Sequence, residues 1–246
     1  MIAENFDLSK TTLNTIDGKT IQLGEIMGKK PVYLKFWASW CIPCREQMPH
    51  LQQSFEKYGQ NIETIAININ MNDSLEAVKK TQQEFKLTVP IVMDQNAALS
   101  QAFDLRATPY HVLINKEGKI IHTGHYVTDE LNKKLELLAT GLSDNIKEVS
   151  LLKDSDNTKP INIPKNKTTL LFFTSAWCDW YLEKSRPNMA KQCVEAQQLV
   201  NEHSVKYPGL NWQGVLTRLW TGEKELKEYT EKNNVSFAMS IDTSNK

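Results

Sequence analysis

Residues 11–15 and 20–23 alternate apolar and polar side chains on either side of Asp17-Gly18-Lys19, a pattern that predicts a β-hairpin. Gly28-Lys29-Lys30-Pro31 then interrupts the chain ahead of Val32–Trp37, an apolar run expected of a buried strand. From Cys41 to Tyr58 the period changes. Met48, Leu51, Phe55 and Tyr58 recur at intervals of three and four, which predicts a helix, with Pro49 kinking it. Residues 62–69 read as the next strand and 74–85 as the next helix, with Asp73 or Ser74 placed to cap it. A short strand is expected at 89–93, paired strands at 110–115 and 119–124 around Lys116-Glu117-Gly118, and an amphipathic helix over 128–138 ended by Gly141. This order predicts an α/β unit built on a central mixed sheet.

Past Ser143 the pattern weakens, and residues 154–168, with three Lys and two Pro, read as a linker or long surface loop. The pattern then restarts: a strand at 169–173, a long helix at 179–203, a strand at 210–216, a helix at 223–232 and a strand at 235–241. Phe36-Trp37-Ala38-Ser39-Trp40-Cys41 lines up with Phe173-Thr174-Ser175-Ala176-Trp177-Cys178 at a constant offset of 137 (173 − 36). Phe, Trp and Cys are identical at three of these places, so the chain reads as an internal repeat. Two domains follow, residues 1–143 and 144–246. The second stops at its third strand, before any equivalent of the last hairpin and helix. It reads as an incomplete, C-terminally truncated copy whose sheet would expose an edge.

The 246 residues suit two domains of ordinary size, and 40% hydrophobic with 24% charged is a globular composition. Lys plus Arg equals Asp plus Glu at 29 each, which argues against a nucleic-acid partner. The opening MIAENFDLSK has neither a basic segment nor an apolar one, so the protein is either cytoplasmic or presented without a leader.

Four cysteines are too few for a disulfide-stapled scaffold, and their placement says more than their number. Cys41 and Cys44 form a C-x-x-C at a helix start, which sets two sulfurs one turn apart at a separation suited to a disulfide. Such a pair is redox-active or half of a zinc site. At the amino end, Cys41 meets unpaired backbone N–H groups and the helix dipole, which lower a thiol pKa from ~8.5 to about 7 or below. Cys41 is then the attacking thiolate and Cys44, more buried, the resolving thiol. Pro43 suits the first helical turn. Ile42 and Pro43 supply no cation, which tilts the couple toward a potential between about −270 and about −120 mV, nearer the reducing end. Zinc needs four ligands, and no second C-x-x-C or Cys/His pair stands at finger spacing; His50 and His111 could come close to the site in the fold.

Trp40-Cys41-Ile42-Pro43-Cys44-Arg45-Glu46-Gln47-Met48-Pro49 resembles the active-site segment of the thioredoxin superfamily, and within it the TlpA/ResA-like thiol–disulfide oxidoreductases. Phe6, Asp17-Gly18-Lys19, Leu23 and Gly28-Lys29 match that family's N-terminal hairpin, Thr108-Pro109 its cis-proline, and Asn115-Lys116-Glu117-Gly118-Lys119 its last hairpin, over about residues 4–140. The resemblance implies a thioredoxin-like fold, exchange with protein disulfides, no cofactor and no metal. It also implies an exported, periplasmic or otherwise extracytoplasmic bacterial protein, with membrane contact only through a leader or anchor absent from this sequence. It places Trp40, Ile42, Pro43, Thr108 and Pro109 at the substrate. Where thioredoxin buries an aspartate six residues before its first Cys, this chain has Lys35; Asp73 is the substitute candidate for proton relay. The alternative is a copper- or zinc-binding chaperone, or a redox-silent adaptor, using the same C-x-x-C.

Trp37 is expected in the core, and His122 and His125 at the surface. Tyr181 stands where Cys44 stands in the first copy, so Cys178 lacks a resolving partner in its own motif. On an unbroken helix Cys193 would lie roughly 22 Å from Cys178, which argues against a bridge and makes both inert remnants. Four of the six tryptophans fall in the second copy, and Trp180 is the one placed to mark a binding surface.

Overall fold

The computed structural model describes residues 7–142, 147–149, 161 and 163–242. The chain divides into two compact units, Met1–Lys153 and Asp154–Lys246. The expected boundary after Ser143 and most of the expected linker lie outside the described residues.

In the first unit the predicted hairpin forms, β1 (Thr12–Asn14) running antiparallel to β2 (Thr20–Gln22). A one-turn helix, α1 (Leu23–Ile26), follows it. The main sheet centres on β3 (Val32–Trp37), with β4 (Glu63–Asn68) and β5 (Ile91–Met93) parallel to it on one side. On the other side lie β6 (Tyr110–Ile114) and β7 (Ile120–Gly124), each antiparallel to its neighbour, giving the order β5-β4-β3-β6-β7. All six residues of β3 are buried, which is why its run carries no apolar/polar alternation. Flanking the sheet are α2 (Ile42–Glu46), α3 (Met48–Tyr58), α4 (Leu75–Glu84), α5 (Ala98–Ala102) and α6 (Asp129–Ala139). Ser74 caps α4 by accepting from the Ala77 N–H at 3.1 Å. The helix expected unbroken over 41–58 is two helices meeting at Gln47, and Pro49 sits in the first turn of the second, where its missing N–H costs nothing.

The second unit is a three-stranded sheet, β8 (Thr169–Thr174), β9 (Asn211–Leu216) and β10 (Ala238–Ile241), all parallel, in the order β10-β9-β8. Its elements sit at fixed offsets from the first unit. β8 is β3 displaced by 137 (169 − 32), while β9 and helix α9 (Glu223–Lys232) are β4 and α4 displaced by 148 (211 − 63, 223 − 75). The register agrees as well: Ala66↔Ile91 in β4–β5 becomes Gly214↔Met239 in β9–β10, again 148 further on. Backbone outside the strands repeats too. Asn72 and Lys86 adopt φ of 52° and 50°, and Trp220 and Asn234, 148 residues later, adopt 53° and 50°. Left-handed backbone is uncommon for non-glycine residues, so recurrence at two matched positions is stronger than strand order alone.

The long helix expected at 179–203 is instead α7 (Cys178–Tyr181) and α8 (Pro187–Lys206). Pro187 cannot donate into a continuing helix, but it suits a new first turn, so the chain folds back before it. This overturns the separation expected for the two cysteines. Cys178 and Cys193 are joined by a disulfide with their Cα atoms 6.1 Å apart.

One anchor recurs in both units. The Trp40 indole donates to the Met71 carbonyl at 2.8 Å, and the Trp177 indole to the Leu219 carbonyl at 2.7 Å. Both carbonyls lie three residues beyond their strand (71 − 68, 219 − 216). Trp40→Phe and Trp177→Phe should each cost about 1–3 kcal/mol by leaving a carbonyl without its donor, read by urea unfolding. Amide exchange should accelerate at 32–37 in the first variant and at 169–174 in the second. Neutral substitutions would show that the anchor is incidental.

Candidate active site

The end of β3 is tied down from the neighbouring β4–α4 loop. The Asp73 carboxylate accepts from the Ser39 N–H at 2.8 Å, from the Ser39 hydroxyl, and from the Asn68 amide at 2.8 Å. With the Trp40 indole bond, this fixes two consecutive residues just before Cys41. The turn then closes on itself, the Cys41 N–H donating to the Ala38 carbonyl at 3.2 Å, and Cys41 becomes the N-cap of α2. Its Sγ accepts the Cys44 N–H at 3.2 Å. Cys41 and Cys44 form a disulfide with Cα atoms 5.2 Å apart, and both are fully buried.

Antiparallel pairing brings β6 alongside this junction: Phe36 faces Tyr110, so Pro109 falls beside Trp37 at the strand end that leads to the cysteines. The Thr108–Pro109 peptide bond is cis, and both residues are buried. Ile42 is 45% exposed and is the apolar side chain presented between the two cysteines, with Pro43 half-buried behind it. Trp40, which the resemblance places at the substrate, is 2% exposed and braces the wall behind the cysteines. Asp73 is occupied with Ser39 and Asn68, holding the loop rather than capping α4.

Among the described residues, no group of three His, Cys, Asp or Glu side chains is arranged to hold a metal ion. His50 bonds to Asn132 at 2.7 Å and His111 to Tyr33 at 2.7 Å, so the histidines considered as ligands already have partners.

The AhpC/TSA family pattern matches residues 3–123. The thiol–disulfide oxidoreductase ResA of Halalkalibacterium halodurans is 33% identical over 129 residues, covering 51% of this chain and 72% of that protein. The chain belongs to the ResA-like thiol–disulfide oxidoreductases of the thioredoxin superfamily. The ResA of Bacillus subtilis is 29% identical over 143 residues, covering 57% of this chain and 78% of its own length. A solution structure of a putative thioredoxin from Neisseria meningitidis matches at a TM-score of 0.49 with 27% identity, over 55% of this chain and 89% of that one. This ResA-like protein is an oxidoreductase that acts on protein disulfides.

A polar chain that sequence reasoning missed links β3 and β6 to the end of α2 in this ResA-like site. The Tyr33 hydroxyl donates to His111 Nδ1 at 2.7 Å, and His111 Nε2 donates to Gln47 Oε1 at 2.9 Å. Lys35 Nζ, from the middle of β3, donates to the same oxygen and to the Gln47 carbonyl, both at 3.2 Å. Gln47 Nε2 donates to the His125 carbonyl at 3.1 Å, and His125 Nδ1 donates to the Pro109 carbonyl at 2.8 Å. The junction between α2 and α3 is thereby wired to the cis-proline loop. His125, expected at the surface, packs on Tyr110 and holds Pro109, and His122 is buried. A lysine in an otherwise apolar strand was the available signal, because the sheet register sets His111 directly opposite Lys35.

Burial pulls the Lys35 ammonium from 10.5 down to about 7, because no carboxylate compensates its desolvation. Burial, with Lys35 close by, holds His111 well below the ordinary histidine range and therefore neutral. Between pH 7 and about 10.5 the unfolded chain keeps a proton on Lys35 that the folded chain has released, so stability rises with pH across that window. Lys35→Met removes this linkage together with the two contacts to Gln47, so the wild-type protein should gain about 3–5 kcal/mol relative to the variant between pH 7 and pH 10, on ~1.4 kcal/mol per unit. Chemical denaturation of both proteins at pH 6, 8 and 10 checks this; a pH-independent difference would contradict it.

Proposed function

We propose that Cys41 is the attacking thiol and Cys44 the resolving thiol of a couple that reduces or exchanges disulfides in extracytoplasmic bacterial proteins. The observation that carries this reading is the position of Cys41: N-cap of α2, at the end of a fully buried strand, with the Cys44 N–H directed at its sulfur. A thiolate here attacks one sulfur of a substrate disulfide and expels the other as a thiolate, which takes up a proton. Cys44 then attacks the Cys41 sulfur, closing the 41–44 bridge and releasing the second substrate thiol, so two electrons pass to the substrate. Ile42 and Pro43 form one lip for the incoming chain, and Thr108 and Pro109 the other, with Trp40 bracing the wall behind. Asp73 remains the candidate proton relay to the resolving thiol, with its tether on Ser39 as its first duty.

The second unit, from about residue 144, is in this reading a degenerate thioredoxin-like domain that positions a protein partner. The shared offsets, register and left-handed residues support it. The polar set of the first site is gone: Phe172 stands for Lys35 (172 − 35 = 137), Ala176 for Ser39 (176 − 39 = 137) and Thr221 for Asp73 (221 − 73 = 148).

Trapping tests the role assignment. Cys44→Ala should accumulate mixed disulfides on Cys41, identified by mass spectrometry, while Cys41→Ser, made in a chain that also carries Cys178→Ser and Cys193→Ser, should lower insulin-disulfide reduction at least 100-fold relative to that chain. Adducts on Cys41→Ala through Cys44, in place of these, would reverse the assignment.

A further inference from the structure

We infer that Cys178 and Cys193 form a second redox-active couple, in which the resolving thiol has moved from the motif to the neighbouring helix. Cys178 occupies the place of Cys41: it follows the matched strand β8, its N–H donates to the Ser175 carbonyl as that of Cys41 does to Ala38 (175 − 38 = 137), and the preceding tryptophan is anchored identically. At the position of Cys44 stands Tyr181, whose ring packs on Trp220 at 4.8 Å, on Trp180 at 5.8 Å and on Trp177 at 6.1 Å. Sulfur cannot sit there, yet a sulfur reaches Cys178 all the same. Pro187 starts α8, the chain folds back, and Cys193 arrives in its second turn to pair with Cys178.

The bridge is also more reachable than that of the first unit. Cys178 is 6% exposed where Cys41 is fully buried, and Cys193 is half-buried. Two residues after Cys178, Trp180 is 58% exposed. An exposed indole beside a thiol is suited to an extended apolar segment of a polypeptide that carries its own cysteine, which is the substrate class we assign. The acidic residue following Cys178, Asp179, is paired through Oδ2 with Lys232 at 2.6 Å, which offsets the negative charge beside the Cys178 thiolate.

In the reduced state the Cys178 thiolate attacks one sulfur of a substrate disulfide, forming Cys178–S–S–R and releasing a first thiolate, which is protonated. The Cys193 thiolate then attacks the Cys178 sulfur, closing the bridge and releasing the second thiol. One disulfide is reduced to two thiols as the protein dithiol is oxidised, and an external dithiol reverses the cycle.

The unmutated full-length chain supplies the first test. Differential alkylation and peptide mass spectrometry over a series of reduced-to-oxidised dithiothreitol ratios resolve both bridges at once. The Cys178–Cys193 bridge should be half-reduced within a hundredfold of the ratio that half-reduces Cys41–Cys44; a bridge needing more than a hundredfold stronger reduction is structural and overturns the inference. The second test uses pre-reduced Cys41→Ser/Cys44→Ser protein with 5,5′-dithiobis(2-nitrobenzoate). Two thionitrobenzoates should be released per chain with no residual adduct, and adding Cys193→Ser should give one release and a stable adduct at Cys178. Adding Cys178→Ser should slow the first release at least tenfold. A first release slowed equally by Cys193→Ser, or adducts on both thiols in the parent, would contradict the assignment. The first test does not depend on whether Cys41 or Cys44 attacks, so it fails or succeeds separately from the function proposed for the first unit.

Discussion

The Trp40 indole has one hydrogen bond to give, and it gives it to the Met71 carbonyl beyond the neighbouring parallel strand. Together with Asp73 on Ser39, this bond fixes where β3 ends and therefore where α2 begins. A C-x-x-C works only if its first sulfur stands at a helix start, with backbone N–H groups directed at it and the second sulfur one turn away. Without the tether the strand end would be an ordinary loop. With it, Cys41 receives the Cys44 N–H, and Pro109 arrives alongside through the pairing of β6. The exposed Ile42, the cysteine pair, the cis-proline alongside and the buried Lys35–Gln47 contacts all hang on that junction.

The second unit has the same junction geometry without the polar residues that surround it in the first. Its indole anchor, strand register and left-handed turns match the first unit position by position, whereas the lysine, serine and aspartate of the polar set are replaced by Phe172, Ala176 and Thr221. Backbone geometry of this kind rests on a few carbonyl acceptors and tight turns, which tolerate side-chain replacement around them. A buried polar network does not, since each member left unpaired costs more than the pair was worth. Loss of the whole set together is the outcome such energetics favour.

Much of this was legible in the sequence. Val32–Trp37 announced itself by being apolar but for Lys35, α9 by its periodicity, and the matched strand ends by three identities in six aligned positions, because each depends on local pattern. What was not legible depended on chain reversal and on contacts distant in sequence. Apolar and polar residues around Pro187 continue a plausible helical period, so only the proline marked the break that brings Cys193 back to Cys178. His125 looked like a surface residue because its partner, the Pro109 carbonyl, lies 16 residues away across a hairpin. Gln47 was invisible as the hub of the buried chain, since an amide after a C-x-x-C has no local signature.

The account turns on Cys41 being the thiol that meets substrate. Its most direct test is the rate of iodoacetamide alkylation at Cys41 and Cys44 in the fully reduced chain, followed from pH 5 to 9 by peptide mass spectrometry. Cys41 should react first, with its rate rising to a plateau around a midpoint of about 7 or below, while Cys44 stays slow until above ~8.5. Faster alkylation of Cys44 near pH 6, with Cys41 unreactive, would contradict it.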